Sequence, residues 1–372
     1  MVYTEGREAI TGRDTPACFN LGALRHVVAR SIPGTRKRVH EWMEGSTTMK
    51  LVRVSLMPIM AIVVAVGAIP AFGQDYPAKP VRVIVPLSAG SANDIIARMV
   101  TLKLSELWGQ PVVVENYTGG GGAVGAGEAA KSLPDGYTLL IMGSAYATNP
   151  AVYSNLPYDP VKDFVDIAPL ASQPNVLVVG ASAGVRTVAE LITTAKARPG
   201  EIKVGSAGTG SGAHFLAEKF RLAAGIDVVH VSYDVVPQAN MDTIAGRVTY
   251  WFPPIAIALP LIREGKLLAL AVTSGRRSSL LPEVPTLAEA GVAGFDGRGW
   301  FGVFAPGGTP AVVVDKLTKD VARALAAPEL QEQFAKLGFE PMSMSSAEFA
   351  SFVRDEMEAA ARVAKEAGIK PQ

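Results

Sequence analysis

Cysteine and histidine are the residue types that this sequence has least of. Among 372 residues there is one cysteine, Cys18, and there are four histidines, of which only His214 and His230 lie beyond residue 73. A chain region without cysteine forms no disulfide, offers no thiol nucleophile and gives no thiolate to a metal. Two histidines are also few for a zinc site. The composition therefore argues against a metal site, and no cofactor is expected.

An excess of positive charge is also missing. Lysine and arginine together number 35, against 34 aspartates and glutamates, and no basic cluster occurs beyond residue 73. Proteins that bind nucleic acid usually carry a basic patch, so nucleic acid is not an expected partner. The roughly 300 residues beyond residue 73 are enough to bury a large core, most simply in two domains.

A long apolar run occurs only near the start of the chain. Residues 49–73 combine a positively charged start, an apolar middle at residues 56–69 and the small-x-small sequence Ala71-Phe72-Gly73, which together are typical of a cleaved secretory signal peptide. The run is shorter than the roughly 20 residues that a membrane span needs, which disfavours a membrane anchor. Because a signal peptide normally begins a chain, Met49 is the expected start, and residues 1–48 are interpreted as a spurious upstream extension.

Short β-branched runs alternate with helical stretches along the rest of the chain. Nearly continuous apolar runs are typical of strands buried on both faces, and their alternation with helices predicts a doubly wound α/β fold. Capping signals predict helices that begin after Ser91, Thr187 and Ser345. The predicted strands are residues 81–85, 112–114, 138–142, 176–179, 202–204, 228–231, 248–252, 268–272 and 301–304.

Two glycine- and serine-rich loops carry the strongest functional signal. Residues 86–94 and residues 205–214 each follow a predicted strand and lead into a predicted helix. Such a loop leaves unpaired backbone N–H groups at the positive end of the helix dipole, where an anion is stabilised. Two of them predict a pocket that binds a carboxylate from two sides and has no catalytic group. Residues 233–237 follow another strand and are expected to form a third loop of this pocket.

Two other motifs support competing interpretations. Gly120-x-Gly122-x-x-Gly125 has the spacing of a dinucleotide-binding loop, but it follows the second predicted strand, and no acidic residue ends a strand about 20 residues later. This loop can still line a pocket. Gly180-Ala181-Ser182-Ala183-Gly184 has the spacing of the nucleophile elbow of serine hydrolases, which would need His214 or His230 as its base. No helix is predicted directly after Ser182, and a hydrolase stays an alternative.

A series of short motifs covers essentially the whole chain after the signal peptide. They are residues 76–82, 111–116, 134–140, 149–153, 156–164, 174–179, 205–208, 270–274, 284–286, 300–302 and 305–310. In this order they resemble the substrate-binding proteins of tripartite tricarboxylate transporters, the Bug-type family. The resemblance implies a two-domain periplasmic-binding-protein fold of type II, in which each domain is a mostly parallel sheet flanked by helices and a ligand cleft lies between the domains.

No linker separates the domains, so the apolar segments 176–179 and 300–304 are the expected crossovers between them. Residues 74–178 and 300–372 are then expected to form domain I, and residues 179–299 domain II. The resemblance also implies a function. The implied protein is a non-enzymatic periplasmic receptor, expected as a monomer, which captures a small organic carboxylate or amino acid and delivers it to the permease subunits of a membrane transporter. A receptor that signals to a membrane kinase is an alternative. The expected ligand-binding residues are Ser88, Ala89, Gly90, Ser91, Asn93, Asp94, Ser144, Ser206, Ala207, Gly208, Thr209, Gly210, Ser211, His214, Tyr233 and Asp234.

One stretch and two single residues depart from the usual sequence of that family. Residues 86–91 read Pro-Leu-Ser-Ala-Gly-Ser where Pro-Phe-Pro-Pro-Gly-Gly is usual, and Thr249 stands where an aspartate is common. Asp234 stands where a lysine is usual and reverses the local charge. If Asp234 faces the cleft, the ligand is expected to carry an amino group or fewer carboxylates; if it faces solvent, the change is neutral.

Overall fold

The computed structural model describes residues 76–369, in which eleven strands and ten α-helices alternate. The predicted signal peptide and the extension before it lie outside the described residues. The strands are β1 (Val81–Val85), β2 (Val112–Asn116), β3 (Thr138–Gly143), β4 (Phe164–Pro174), β5 (Val176–Gly180), β6 (Lys203–Ser206), β7 (Val229–Ser232), β8 (Tyr250–Trp251), β9 (Leu267–Val272), β10 (Arg298–Pro306) and β11 (Glu340–Pro341).

Helices follow most of these strands, and capping residues set where several of them begin. The helices are α1 (Ala92–Trp108), α2 (Ala123–Ala130), α3 (Ala145–Thr148), α4 (Val188–Ala197), α5 (Gly212–Ala224), α6 (Val236–Ile244), α7 (Ile255–Arg263), α8 (Ala311–Leu325), α9 (Pro328–Leu337) and α10 (Ser346–Glu366), with 3₁₀ turns at Gly120–Gly122 and Asn149–Ala151. As predicted, Ser91, Thr187 and Ser345 are the N-caps of α1, α4 and α10. Within residues 76–369, no helix combines the length and the apolar character needed to cross a bilayer.

The strands form two mixed sheets. The first sheet has the order β11-β4-β10-β3-β1-β2, and the second has the order β7-β6-β8-β5-β9. Parallel pairing is confined to β1 with β2 and β3, and to β6 with β7 and β8. The other pairs are antiparallel. The expected α/β fold with two helix-flanked sheets is thus confirmed, while the parallel pairs make up only one end of each sheet, β3-β1-β2 in the first and β7-β6-β8 in the second.

Each sheet is buried on both faces. In β1, Val81, Val83 and Val85 pack into one hydrophobic cluster, whereas Ile84 packs into the cluster on the opposite face. In β5, Leu177 and Val179 alternate in the same way with Val176 and Val178. Successive side chains of a strand point to opposite faces. An unbroken apolar run is therefore what a doubly covered sheet requires.

The chain passes from one sheet to the other at Asn175, between β4 and β5. Asn175 is 4% exposed, and its Nδ2 donates to the Phe252 carbonyl at 2.7 Å. Its backbone N–H donates to Thr273 Oγ1 at 3.0 Å, and its carbonyl accepts from the Thr273 N–H at 2.9 Å. The passage is therefore held by hydrogen bonds. The segments proposed as crossovers, residues 176–179 and 300–304, each lie wholly within one sheet, and the division into domains stays a prediction.

The longest strand, β4, is not predicted by the sequence. Asp166, Pro169 and Ser172 interrupt its apolar residues, and a proline argues against a central strand because it donates no hydrogen bond to the ladder. Pro169 lies opposite Gly302 next to a register shift in the pairing of β4 with β10. Such an irregularity accommodates a residue without an N–H group.

Removal of the α10 cap should destabilise the protein modestly. Ser345 Oγ accepts from the Glu348 N–H at 3.3 Å, and Glu348 Oε2 accepts from the Ser345 N–H at 2.8 Å. We expect Ser345→Ala to lower the free energy of unfolding by about 1 kcal/mol, because it leaves the Glu348 N–H without an acceptor. Urea unfolding followed by circular dichroism measures this change. Ser351→Ala, at an exposed position of the same helix, should change stability by less than about 0.5 kcal/mol; equal effects of the two substitutions would contradict the capping role.

Candidate functional site

A cavity of about 460 Å³ lies between the two sheets. Its wall includes Leu87 and Ser91 from the loop after β1, and Ala207 and Ser211 from the loop after β6. Loops that follow the carboxyl ends of parallel strands are the usual ligand site of α/β folds. The two glycine- and serine-rich loops therefore face the same cavity.

Two helices begin at this cavity with unpaired backbone N–H groups. Ser91 Oγ accepts from the Asp94 N–H at 3.3 Å, while the N–H groups of Ala92 and Asn93 make no hydrogen bond within residues 76–369. Both residues line the cavity. The first N–H groups of a helix carry its positive partial charge, so this helix end can hold an anion.

The start of α5 repeats the same arrangement from the second sheet. Ser211 Oγ accepts from the His214 N–H at 3.2 Å, and the N–H groups of Gly212 and Ala213 have no partner in the described part of the chain. Gly212 and Ala213 also line the cavity. Two helix N-termini, one from each sheet, thus open into one cavity.

Hydrogen bonds hold the cavity closed along one edge. The Tyr153 hydroxyl donates to the Thr209 carbonyl at 2.9 Å, and Thr148 Oγ1 donates to the Gly210 carbonyl. Burial first, and the carboxylate of Asp234 second, raise the pKa of Tyr153. The hydroxyl therefore keeps its proton at neutral pH and can donate. These bonds join a loop region of the first sheet to the glycine-rich loop of the second.

Backbone packing at the same edge requires glycine. Gly121 has φ +57° and Gly208 has φ +107°. A Cβ atom at Gly121 would overlap the Thr209 carbonyl oxygen, and one at Gly208 would lie 2.8 Å from Gly121 Cα. The glycine run around residue 121, whose spacing mimics a dinucleotide-binding loop, therefore serves as a contact surface for the loop opposite.

The third predicted loop contributes its backbone to the cavity edge. The Val236 N–H donates to Ser88 Oγ at 3.0 Å, and Val236 lines the cavity. The Tyr233 hydroxyl instead donates to Asp242 at 2.8 Å. Asp234 is exposed and is not part of the cavity wall.

Asp94 orders the first loop from outside the cavity wall. Its carboxylate accepts from the Gly90 N–H at 3.1 Å and from Asn116 Nδ2 at 3.0 Å, and it pairs with Arg98 at 2.9 Å. Burial alone would raise the pKa of Asp94, but the hydrogen bonds from Arg98, Gly90 and Asn116 outweigh it and lower this pKa. The carboxylate is thus bound within the protein and does not face an anion in the cavity.

A stacked pair of histidines supports the second loop. The rings of His214 and His230 lie 4.2 Å apart, and His214 Nδ1 accepts from the Gly210 N–H at 3.3 Å. Ser206 Oγ donates to the Gly208 carbonyl at 3.1 Å and lies 2.6 Å from His230 Nε2. Because the hydroxyl has one proton, His230 must donate to it. Burial lowers the pKa of both histidines to about 4, so both are neutral at pH 7.

The structure separates the predicted ligand-binding residues into two groups. Those in the cavity wall are Ser91, Asn93, Ser144, Ala207 and Ser211. Those outside the wall are Ser88, Ala89, Gly90, Asp94, Ser206, Gly208, Thr209, Gly210, His214, Tyr233 and Asp234. Direct ligand contact by any of them stays a prediction.

Several wall residues are absent from the sequence-based set. Ala92, Gly212 and Ala213 could have been found from the caps, since the first two N–H groups after an N-cap are always without a helical partner. No local signal marks the others, which come from distant elements. They include Thr148, Ser172, Asn175, Trp251 and Trp300. Leu87 and Val236 also line the cavity and lie within the predicted loops 86–94 and 233–237.

The serine and histidine side chains that a serine hydrolase would need do not come together. Ser182 is exposed in the turn after β5, while the two histidines bond to Ser206 and Gly210. Among residues 76–369, no three His, Cys, Asp or Glu side chains gather as a metal site.

Comparisons with known proteins agree on one family. A sequence model described as the tripartite tricarboxylate transporter family receptor matches residues 96–369. Protein BugT of Bordetella pertussis is 35% identical over 319 residues, which cover 85% of this chain and 98% of BugT.

Solved structures show the same fold. The Rhodopseudomonas palustris protein Rpa4515, determined with adipate, is 36% identical with a TM-score of 0.77, over 80% of this chain and 100% of that one. MatC (Rpa3494) from Rhodopseudomonas palustris, determined with bound malate, is 30% identical with a TM-score of 0.74, over 78% of this chain and 100% of that one.

Proposed function

Because the chain belongs to the tripartite tricarboxylate transporter receptor family and is a solute-binding receptor of that type, we propose that it captures a small organic carboxylate in the periplasm and delivers it to the permease subunits of a membrane transporter. The carboxylate binds in the cavity between the two sheets. The protein binds its ligand without changing it.

One observation carries this proposal. The unpaired N–H groups of Ala92 and Asn93 in α1, and of Gly212 and Ala213 in α5, all belong to residues that line one cavity. Helix N-termini stabilise anions, and neutral donors bind a carboxylate without the strength of a buried ion pair. Such binding is reversible, as a delivery protein needs. The adipate and malate in the structures of Rpa4515 and MatC are carboxylates too.

A thermal-shift screen of mono-, di- and tricarboxylates and amino acids tests the proposal. A ligand that binds only the folded state stabilises it by about 2.7 kcal/mol at 100 times its dissociation constant. We therefore expect a clear rise in melting temperature with at least one carboxylate. The matched control is the primary amide of the same acid, which has nearly the same shape and no charge. Equal shifts with acid and amide, or no shift with any acid, would contradict carboxylate binding.

A further inference from the structure

One face of α5 lines the cavity over two turns. Gly212, Phe215, Leu216 and Lys219 all belong to the wall, and residues spaced in this way lie on one side of a helix. At a rise of about 1.5 Å per residue, Lys219 lies roughly 10 Å along the helix axis from Gly212. The cavity therefore extends from the unpaired N–H groups at the start of α5 to a lysine two turns later.

The chain that leads into β10 gives the same separation independently. Near the start of α5, the Trp300 N–H donates to Ser144 Oγ at 3.1 Å, and a Cβ atom at Gly212 would lie 3.2 Å from Ser144 Cβ. Near the other end, a Cβ atom at Gly297 would lie 3.7 Å from Lys219 Nζ. An extended chain rises about 3.3 Å per residue, so residues 297 and 300 are roughly 10 Å apart. The ammonium group of Lys219 thus lies about 10 Å from the N-terminus of α5 by either measure.

The protein does not neutralise the positive charge of Lys219. Its Nζ donates to the Asp296 backbone carbonyl at 2.9 Å and lies 5.2 Å from the centre of the Phe295 ring. No carboxylate among residues 76–369 forms an ion pair with it. An ammonium group has three N–H donors, so two of them and the charge are left for another acceptor. Lys219 is only half-buried and lies in the cavity wall, where a ligand can reach it.

The other charged residues of the wall bind groups elsewhere in the protein. Arg298 pairs with Glu340 at 2.6 Å. Asp296 Oδ1 accepts from the Gly275 N–H at 3.0 Å, and its Oδ2 would lie 3.1 Å from a Cβ atom there, so this exposed carboxylate is turned toward the loop after β9. Glu356 accepts at 3.0 Å from the indole N–H of the tryptophan in β10, which belongs to the opposite end of the cavity. At its own end, the lysine is therefore the charge that a ligand meets.

The wall between these two ends is apolar. Phe215 and Leu216, which lie between Gly212 and Lys219 on α5, both line the cavity. Such a surface gains free energy when hydrocarbon covers it. The arrangement therefore suits a hydrocarbon chain with an anionic group at each end.

The separation of the two ends restricts the length of that chain. Each C–C bond of an extended chain advances about 1.3 Å, so the two carboxyl carbons lie about 4 Å apart in succinate, about 6.5 Å in adipate and about 9 Å in suberate. A hydrogen bond from the ammonium group to the far carboxylate adds about 3.5 Å beyond its carbon. An anion at a helix N-terminus lies beyond the first N–H groups. Adipate and longer chains can therefore bridge the roughly 10 Å to Lys219, and succinate is too short.

We propose that Lys219 binds a second anionic group of the ligand, and that the preferred ligands are unbranched dicarboxylates of at least about six carbons. This inference rests on the proposed function, because the helix N-termini must hold the first carboxylate. Lys219 then selects among carboxylates by the charge and the position of their far end.

Calorimetric titration with matched acids tests the inference. The dicarboxylates are succinate, adipate and suberate, the monocarboxylates of equal length are butyrate, hexanoate and octanoate, and 6-aminohexanoate and 8-aminooctanoate place an ammonium group at the far end. We expect adipate or suberate to bind about tenfold more tightly than its monocarboxylate, and succinate to gain no such advantage over butyrate. Monocarboxylates that bind as tightly as adipate and suberate, or amino acids that bind more tightly, would overturn the inference and leave the proposed function standing. If none of these acids binds, and the wider screen also fails, the proposed function itself is refuted.

A pair of lysine variants tests the residue assignment. Lys219→Met removes the charge and keeps an unbranched side chain, so it should weaken binding of adipate and suberate about tenfold and leave hexanoate and octanoate unchanged. Binding of the monocarboxylates also reports that the variant folds. Lys196→Met is the matched control, because Lys196 is exposed in the last turn of α4 and lies outside the cavity wall. A preference for dicarboxylates that survives Lys219→Met, or that Lys196→Met removes equally, would overturn the role of Lys219.

Discussion

Gly121→Ala is expected to weaken carboxylate binding about 30- to 100-fold. The added Cβ would overlap the Thr209 carbonyl oxygen and lie 3.0 Å from the Ser211 nitrogen. Relief of this overlap requires the two loops to separate, which breaks the hydrogen bonds that Tyr153 and Thr148 donate to the opposite loop. At about 1 kcal/mol for each bond, with some loss of packing, closure becomes harder by about 2–3 kcal/mol.

The control for this variant separates closure from backbone strain. Gly225, the C-cap of α5, has φ +60°, nearly the same as Gly121, and a Cβ atom there would meet nothing within 4 Å. Gly225→Ala should therefore share the stability cost of a left-handed backbone, about 1–2 kcal/mol, and keep normal affinity. Calorimetry with the best acid of the screen gives the affinities, and small-angle X-ray scattering gives the radius of gyration. Unchanged affinity and unchanged radius in Gly121→Ala would show that this contact does not govern closure.

Acidification from pH 7 to pH 4 should lower the free energy of unfolding by about 3–5 kcal/mol through the stacked histidines. Burial lowers the pKa of His214 and His230 to about 4, with each other's charge as a further cause for His230. In the unfolded chain a histidine pKa is about 6.5. Between about pH 4 and pH 6.5, the histidines of the unfolded chain bind protons that those of the folded protein do not. Stability is therefore level above about pH 6.5 and falls as the pH drops toward 4.

Two variants that should change the pH dependence of stability in opposite directions isolate the contribution of the histidines. His230→Gln removes one of the two histidines that take up a proton on unfolding. Chemical denaturation at several pH values should therefore show a shallower fall in the free energy of unfolding between pH 6.5 and 4. Asp166, whose pKa burial raises to about 6, binds its proton more readily in the folded state and so opposes the loss in acid. Asp166→Asn should therefore steepen the fall. If both variants keep the slope of the native protein, the histidines do not control its acid stability.

The same protonation should loosen the glycine- and serine-rich loop at residues 205–214. His214 Nδ1 accepts from the Gly210 N–H, and a protonated Nδ1 cannot accept. Two charged rings stacked at 4.2 Å would also repel each other. Loss of ligand affinity is therefore expected in the same range of pH as the loss of stability.

Much of the fold is predictable because its signals are local. The runs at Val81–Val85 and Val176–Gly180 are apolar without a break, and burial on both faces of a sheet makes that pattern necessary. β4 cannot be predicted from its own sequence, because Pro169 fits in this strand only where the pairing with β10 is irregular. Pairing between strands distant in the chain leaves no mark in the sequence of either strand.

The two glycine- and serine-rich loops show the same division between local signals and tertiary contacts. The sequence locates both helix starts, because Ser91 and Ser211 have the side chains that cap a helix and the following N–H groups are left unpaired whatever surrounds them. The sequence does not show which residues form the cavity wall. The wall includes the residues one or two positions beyond the loop serines, whose N–H groups are unpaired.

By itself, then, the sequence determined most of the segments that become strands and helices, that two helices begin at glycine- and serine-rich loops, and which family the chain resembles. Only the tertiary structure decided that Gly121 meets Thr209, that Asp234 lies outside the cavity wall, and that Ser172, Asn175 and Trp300 belong to it. The physical reason is that helix caps and apolar runs act between near neighbours in the chain. Cavity walls and loop contacts arise from groups far apart in sequence, which meet only when the two sheets have packed.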